Sequence, residues 1–218
     1  MSIPLAQVFQ TPIDFNEKMS GKDSSTEQKI KEAARKVFTM KGYAATRTRD
    51  IAEEAGINLA LLNYYFRSKE KLFEEIMMER MQQMFGTILP ILMDQKSTLE
   101  NKIDLLSEHY IDMLQENPDL PIFILSELRE HPGRIQQSIP VAAILEGSKF
   151  FQQIKEHNPK LHPIQFMMAL LGMVVFPFAA RPIFGQLPSV QEIGFEKLME
   201  DRKKLVSGWA KTILNSTI

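Results

Sequence analysis

The sequence contains no cysteine, and no apolar stretch long enough to serve as a membrane helix. The absence of cysteine excludes disulfides, thiolate nucleophiles and cysteine-ligated zinc, and it gives no indication of secretion. The longest apolar stretch, Phe166–Ala180, includes Pro177 and is shorter than the roughly 18 to 20 residues that span a bilayer. The N-terminus also lacks the basic-then-apolar pattern of a signal peptide. We therefore expect a cytoplasmic protein of the bacterial type, with no membrane partner.

Signatures of catalysis are equally scarce. The four histidines show neither His-x-x-x-His nor Glu-x-x-His spacing, so helical zinc and di-iron sites lack their ligands. There is no glycine-rich phosphate loop and no Gly-x-Ser-x-Gly motif. We predict no catalytic residue, no metal site and no cofactor.

Charge is nearly balanced over the whole chain but unevenly distributed along it. The formal net charge is −1, whereas residues 22–71 hold eleven Lys or Arg against seven Asp or Glu, a local net charge of +4. The remaining residues therefore carry −5. A basic excess confined to one segment favours contact between that segment and the phosphates of a nucleic acid.

The most informative stretch is residues 46–69, TRTRDIAEEAGINLALLNYYFRSK. Thr46 is expected to cap a short helix, which ends at Gly56, a residue that tolerates positive φ. Asn58 is expected to cap a second short helix spanning about Leu59–Phe66. Leu59, Leu62 and Phe66 fall on one face of this second helix, and Ser68 then caps a third helix that begins at Lys69. Two short helices joined by a glycine-containing turn are typical of a DNA-reading helix-turn-helix.

The helix ends and the outer face of this motif carry the candidate contacts to DNA. Arg47, Thr48 and Arg49 lie in the first turn of the first helix, where unpaired N–H groups and the helix dipole suit a phosphate, although two arginines can also be a merely solvated helix end. In the second helix, the Asn63 amide can pair with adenine N6 and N7. The apolar pair Leu59–Ala60 can meet thymine methyl groups, which favours an A·T-rich operator.

Several short blocks between Lys29 and Phe73 resemble the N-terminal domain of the tetracycline-repressor (TetR) family of regulators: AARKVF, KGY, DIAEEAG, NYYF and SKEKLF, in this order. The resemblance implies phosphate contacts from Tyr64, from its neighbour Tyr65 and from Lys69. The chain departs from the family at several positions: Arg47 replaces a common Ser or Thr, Leu59–Ala60 a common Lys-Gly pair, and Asn63 a frequent Tyr. The predicted DNA-binding residues are Arg47, Thr48, Arg49, Asn58, Leu59, Ala60, Asn63, Tyr64, Tyr65 and Lys69.

Beyond this motif the chain is predicted to be entirely helical, because no segment alternates polar and apolar residues for long enough to form a sheet. The fold class is therefore all-α, with an N-terminal three-helix DNA-binding domain and a C-terminal helical bundle. The predicted domains are a tail at 1–23, the helix-turn-helix domain at 24–70 and a ligand-binding and dimerisation domain at 71–218. The predicted helices of the C-terminal part are a long helix at 69–92 and segments at 98–116, 119–130, 138–157, 163–182 and 192–214.

The TetR resemblance implies that the C-terminal domain dimerises and binds a small effector. Thirteen methionines, with nearby phenylalanines, suit an adaptable apolar pocket between the long helix and the helices at 98–130 and 163–182, although a methionine can equally fill a core. The candidate pocket residues are Met81, Phe85, Met113, Phe123, Met168 and Met173. The helices near 163–182 and 192–214 are the predicted homodimer contacts, since FMMALLGMVVFPFAA has almost no polar face; the alternative is a buried helix within a monomer.

These observations predict a dimeric transcriptional regulator, a repressor that binds a near-palindromic operator in double-stranded DNA and releases it when an apolar small molecule binds. Two alternatives are also compatible with the sequence. One is a regulator of the same fold that responds to a protein partner or to no ligand. The other is a helical enzyme or ligand carrier.

Overall fold

The computed structural model describes residues 21–130 and 141–216 of the chain. Every regular element within these residues is a helix, which confirms the all-α prediction. The helices are α1 (Gly21–Ala45), α2 (Thr48–Ala55), α3 (Leu59–Tyr65), α4 (Lys69–Met93), α5 (Leu99–Glu116), α6 (Leu120–Glu130), α7 (Val141–Gly147), α8 (Lys149–His157), α9 (Pro163–Ala179), α10 (Arg181–Phe184), α11 (Pro188–Ile193) and α12 (Phe195–Leu214). Within the two described ranges, no helix is long and apolar enough to cross a membrane.

The described residues form two compact units. The N-terminal unit comprises residues 21–78, and the C-terminal unit comprises residues 79–130 and 141–216. In the N-terminal unit, α1 changes direction at Gly42, whose φ of 74° lies in the left-handed region that glycine tolerates. One apolar stripe of α1 is buried: Ile30, Ala33, Ala34, Val37 and Phe38.

The C-terminal unit is organised around α9, which packs against α5, α6, α8 and α12. Helices α5 and α12 run antiparallel and are joined by two ion pairs. Asp104 contacts Lys211 at 2.6 Å, and Asp112 contacts Lys203 at 2.5 Å. The Ser207 hydroxyl also donates to the Asp104 carboxylate. These contacts determine which face of α12 packs against α5. A different face of α12 is exposed to solvent.

A proline in the middle of α9 creates a second connection. Pro177 has no N–H, so the Met173 carbonyl lacks the hydrogen bond that residue i+4 of a helix normally donates. Arg202 of α12 supplies the missing donor, because its Nε lies 2.8 Å from the Met173 oxygen. The guanidinium also lies over the Trp209 ring, 5.4 Å from its centroid. Helix α9 thus keeps its helical course through Pro177, with α12 completing its hydrogen bonding.

The predicted helix at 138–157 is wrong as a single element. Ser148 is buried and interrupts it: its side chain accepts a hydrogen bond from the Phe151 N–H at 3.2 Å and so starts a new helix, α8. The first three residues of that prediction lie outside the described residues. The predicted helices 163–182 and 192–214 are also too long, since α9 ends at Ala179 and α12 begins at Phe195.

The burial of the candidate pocket residues divides them into two groups. Met81, Phe85, Met113 and Phe123 are buried in the C-terminal unit, and Met173 is half-buried. Met168, however, is 58% exposed. It lies on the outer face of α9, so its assignment to an interior pocket does not fit the structure.

Candidate nucleic-acid interface

Helix α2 begins one residue later than the sequence suggests. Arg47, in extended conformation, is the N-cap, and its backbone N–H donates to the Asp50 carboxylate at 2.9 Å while its carbonyl accepts from the Asp50 N–H at 3.0 Å. The prediction that Thr46 caps α2 is wrong, because Thr46 is buried and its hydroxyl donates to the Gly42 carbonyl at 2.7 Å. The Thr46 side chain therefore faces back towards α1.

This arrangement leaves the predicted basic residues at the outer end of α2. Arg47 and Arg49 are exposed, and Thr48 is half-buried. The Arg47 N–H and the Lys41 ammonium, which lies 3.1 Å from Asp50, both hold the pKa of the Asp50 carboxyl below its usual value. The Asp50 carboxylate therefore caps α2, and the side chains of Arg47 and Arg49 remain at the surface.

The turn between α2 and α3 has the geometry that the sequence predicts. Gly56 adopts φ 63° and ψ 38°, and the Ile57 N–H donates to the Ala52 carbonyl at 3.0 Å, which closes α2 with a left-handed cap. Asn58 caps α3 through its side-chain oxygen, which accepts from the Leu61 N–H at 2.8 Å. Since that oxygen is engaged in the cap, the amide NH2 is the part of the exposed Asn58 side chain left for DNA.

Helix α3 has an inner and an outer face. Leu62 and Phe66 are buried, as predicted, whereas Leu59 is only half-buried. The outer face presents Ala60, Asn63 and Tyr64 at i, i+3 and i+4, and Tyr64 is 70% exposed. Tyr65 is half-buried, with its ring 5.3 Å from that of Tyr64 and nearly perpendicular to it. The outer face therefore combines a small residue, an amide and a phenol.

Two cations flank α3. Lys69 is half-buried, and its ammonium donates to the carbonyls of Tyr43 and Thr46, both at 2.9 Å. Arg67, in the connection between α3 and α4, is exposed. Arg67 is not among the DNA-binding residues predicted from the sequence. The sequence signal for Arg67 is the basic excess of residues 22–71, to which it contributes just after α3.

The third helix of this three-helix unit is anchored by Leu62 and presents an amide and a phenol to solvent. This arrangement defines a DNA-binding protein of the helix-turn-helix class. Residues 30–76 match the family model described as "Bacterial regulatory proteins, tetR family". The N-terminal part of the chain is therefore similar to the DNA-binding domain of this family.

Relatives and solved structures show a similar likeness. The HTH-type transcriptional repressor KstR2 of Mycolicibacterium smegmatis is 32% identical over 124 residues, which cover 51% of this chain and 60% of that protein. A TetR-like transcriptional regulator from Rhodococcus sp. RHA1 matches with a TM-score of 0.67 at 16% identity, over 92% of this chain and 100% of the other. The transcriptional regulator FadR from Bacillus subtilis, solved in complex with stearoyl-CoA, matches with a TM-score of 0.57 at 20% identity, over 83% and 97%. At these identities, the two structures establish the shared fold.

Proposed function

We propose that this protein is a dimeric repressor that binds a near-palindromic operator and releases it when an apolar small molecule binds the C-terminal unit. The outer face of α3 is the observation that carries the DNA-binding part of this proposal, since Asn63 and Tyr64 are exposed while Leu62 anchors the helix from behind. Arg47 and Arg49 at the start of α2, together with Arg67, supply positive charge for phosphates on either side of this face.

The experiment that tests DNA binding is selection of bound duplexes from a random pool with the full-length protein, repeated at two salt concentrations. We expect an enriched near-palindrome, with affinity that falls steeply as salt increases, because neutralised phosphates release their counterions. A dimer that reads successive major grooves requires half-sites about 10 base pairs apart or a multiple of that spacing. Absence of any enrichment, with no binding even at low salt, would contradict the proposal.

Asn63 is proposed as the residue that reads a base. Asn63→Ala should cost about 1–3 kcal/mol at one position of each half-site, because it removes a bidentate amide contact to one base. The measurement is the affinity of wild type and variant for the selected operator and for a set of single-base substitutions. At the position that Asn63 reads, the variant should no longer discriminate among bases.

Tyr64→Phe is the matched control for Asn63→Ala, since it removes a hydroxyl from the adjacent exposed position. A phosphate contact carries no direct sequence information, so this variant should weaken all duplexes alike. A uniform loss of affinity in Asn63→Ala as well would show that Asn63 contacts the backbone and does not read a base.

Dimerisation is supported by two exposed stripes in the C-terminal unit. On α9, Ile164, Met168 and Leu171 are exposed at i, i+4 and i+7. On α12, Leu205 and Trp209 are exposed at i and i+4, and the half-buried Leu198 lies seven residues before Leu205 on the same face. Such spacing is that of helices that pair along an apolar seam. Since α9 packs against α12, the two stripes belong to neighbouring helices, and their proposed partner is the same surface of a second copy.

Glycines within these two helices support the same conclusion. Gly172 of α9 and Gly208 of α12 are both exposed, and a Cβ built on either one meets no atom within 4 Å. A glycine inside a helix destabilises it by roughly 0.5–1 kcal/mol relative to alanine. Nothing in the described part of the chain requires the absence of a side chain at these positions. We infer that both glycines allow a helix of a second subunit to approach closely.

The effector part of the proposal rests on the interior of the C-terminal unit. Met81, Phe85, Met113 and Phe123 are buried there, and flexible thioethers beside aromatic rings adapt readily to an apolar guest. FadR, which shares the fold, was solved with stearoyl-CoA. We therefore propose a ligand with a long apolar chain, and stearoyl-CoA is the first probe.

Tyr110 of α5, a half-buried residue that is not among those predicted from the sequence, offers a polar group in the C-terminal unit. Its hydroxyl lies 3.7 Å from the Met84 sulfur of α4, and burial raises the pKa of Tyr110 to about 12. A thioether is a weak acceptor, so the hydroxyl stays available for a stronger one. We propose that it donates to a carbonyl or other oxygen of the bound ligand.

Tyr110→Phe tests this role, because it removes a single oxygen and preserves the ring. The affinity for stearoyl-CoA, measured by calorimetry without DNA, should fall about tenfold, which corresponds to the loss of one hydrogen bond of about 1.4 kcal/mol. Tyr64→Phe, in the N-terminal unit, is the control and should leave ligand affinity unchanged. Equal affinities for the Tyr110→Phe variant and wild type would exclude the proposed hydrogen bond.

Ligand binding and operator release are linked by thermodynamics. A ligand that binds more tightly to a dimer conformation unsuited to the operator must lower the affinity of the protein for the operator. The operator then lowers the affinity of the protein for the ligand by the same factor. Its effect is limited by its differential affinity for the two conformations. Operator affinity measured with and without saturating stearoyl-CoA therefore gives the coupling directly.

A further inference from the structure

The connection between α1 and α2 is held by a residue from far along the chain. The ammonium of Lys69, the first residue of α4, donates to the carbonyl oxygens of Tyr43 and Thr46, each at 2.9 Å. The two acceptors precede Lys69 by 26 and 23 residues. The same ammonium lies 4.2 Å from the centroid of the Tyr43 ring, within the range of a cation–π interaction.

These carbonyls accept their hydrogen bonds from outside α1. The last carbonyl groups of a helix have no partner within the helix, and the negative end of its dipole favours a positive charge there. The last turn of α1 contains no basic residue. Lys69 supplies the missing charge and two N–H donors from the first turn of α4.

The rest of the connection is fixed around this contact. The Tyr43 ring lies 4.7 Å from the Phe73 ring of α4 and 6.0 Å from the Phe38 ring of α1. Thr46 is buried, with its hydroxyl on the Gly42 carbonyl. The next residue, Arg47, is the N-cap of α2. The start of α2, with its exposed arginines, is therefore positioned by the segment that Lys69 holds.

We propose that Lys69 is a positioning residue for operator binding: its ammonium clamps residues 43–46 and so sets where α2 begins, instead of contacting a DNA phosphate. This proposal rests on the DNA-binding function proposed above. An ammonium has three N–H groups, and two of them are directed at backbone oxygens of the N-terminal unit. A clamp and a phosphate contact have different experimental signatures, because only a phosphate contact releases a counterion from DNA.

The test compares Lys69→Met, Lys69→Arg and the control Lys71→Met in the full-length protein. Methionine preserves the length of the side chain but has no charge and no donor. Lys71 is exposed in the same turn of α4, so its removal reports the through-space effect of one charge. The readouts are affinity for the selected operator over a range of salt concentrations and hydrogen exchange of the amides at 44–50.

For a clamp, Lys69→Met should weaken operator binding about tenfold or more, with the same salt slope as Lys71→Met, and should accelerate amide exchange at 44–50 while the rest of α1 and α4 is unchanged. Lys69→Arg should not restore binding, since a planar guanidinium does not reproduce an ammonium placed between two carbonyls and a ring. For a phosphate contact, the salt slope should fall by about one unit, exchange should be unaffected, and Lys69→Arg should restore binding. That second set of results, or no effect on either readout, would overturn the proposal.

The exchange measurement needs no DNA. If the wild type binds no duplex, the proposed function fails, yet exchange at 44–50 still reports whether Lys69 holds this segment. Accelerated exchange throughout the N-terminal unit in Lys69→Met, in place of a change confined to 44–50, would also count against a clamp, since it would indicate general loss of structure.

Discussion

Replacing Met168 and Leu205 together by aspartate is expected to convert the protein to a monomer and to lower operator affinity about 100-fold or more. Both side chains are prominent on the proposed dimer surface, at 58% and 49% exposure, and they come from its two different helices. In a two-fold dimer each substitution occurs twice, so four carboxylates would be desolvated near the symmetry axis. A monomer binds one half-site and loses the gain in effective concentration that the linked second half-site provides.

The measurements are sedimentation for mass and a titration of the selected operator for affinity. Ile122 and Leu125 of α6 provide the control, because they are also exposed apolar residues of the C-terminal unit but lie on another helix. Their replacement by aspartate should change neither quantity. If the Met168 and Leu205 variant stays dimeric, or if the α6 variant dissociates as well, the surface formed by α9 and α12 is not the dimer contact.

Leu62→Ala is expected to have the largest effect on stability, about 2–5 kcal/mol, because it opens a cavity beneath α3. Leu62 is fully buried and is the one buried residue within α3. The N-terminal unit is small, and a domain of its size has only a few kcal/mol of net stability. The variant should therefore lose operator binding through partial unfolding of this unit, while the mass measured by sedimentation is unchanged.

Hydrogen exchange of the α2 and α3 amides in the full-length protein measures this loss directly. Leu61→Ala is the matched control, since Leu61 is the same residue type one position earlier and is only half-buried. It should cost clearly less than Leu62→Ala. Similar changes in both variants would mean that α3 is not anchored mainly through Leu62.

The features that the sequence predicted correctly are those with local causes. Gly56 closes α2 with positive φ and Asn58 caps α3, because these side chains or their absence act on the backbone within three residues. The burial of Leu62 and Phe66 followed from helical spacing in a short segment with few alternatives. In the same way, the all-α class followed from periodicity along most of the chain.

The features that the sequence did not predict depend on contacts between distant segments. Thr46 has the side chain of a helix cap, yet burial and the Gly42 carbonyl direct it elsewhere. Lys69 resembled a phosphate ligand by its family position, and only the folded chain brings it to carbonyls 23 and 26 residues away. Sequence spacing contains no information about such partners.

Met168 illustrates a different difficulty. In a helix that is apolar on all sides, periodicity does not indicate which face is inside, so a methionine of the outer stripe looks like a pocket residue. Only the packing of α9 against α5, α6, α8 and α12 identifies the exposed side. The same uncertainty did not affect α3, where polar residues mark the outer face.

The bond from Arg202 to the Met173 carbonyl has a consequence for registry. Without it, α9 and α12 could slide along each other, since apolar side chains tolerate small shifts. A translation by one residue, about 1.5 Å, would break a directional hydrogen bond of 2.8 Å and leave a helix carbonyl without a donor. The carbonyl that Pro177 leaves without a helical donor thus favours one register of α9 against α12, the register in which Arg202 reaches it.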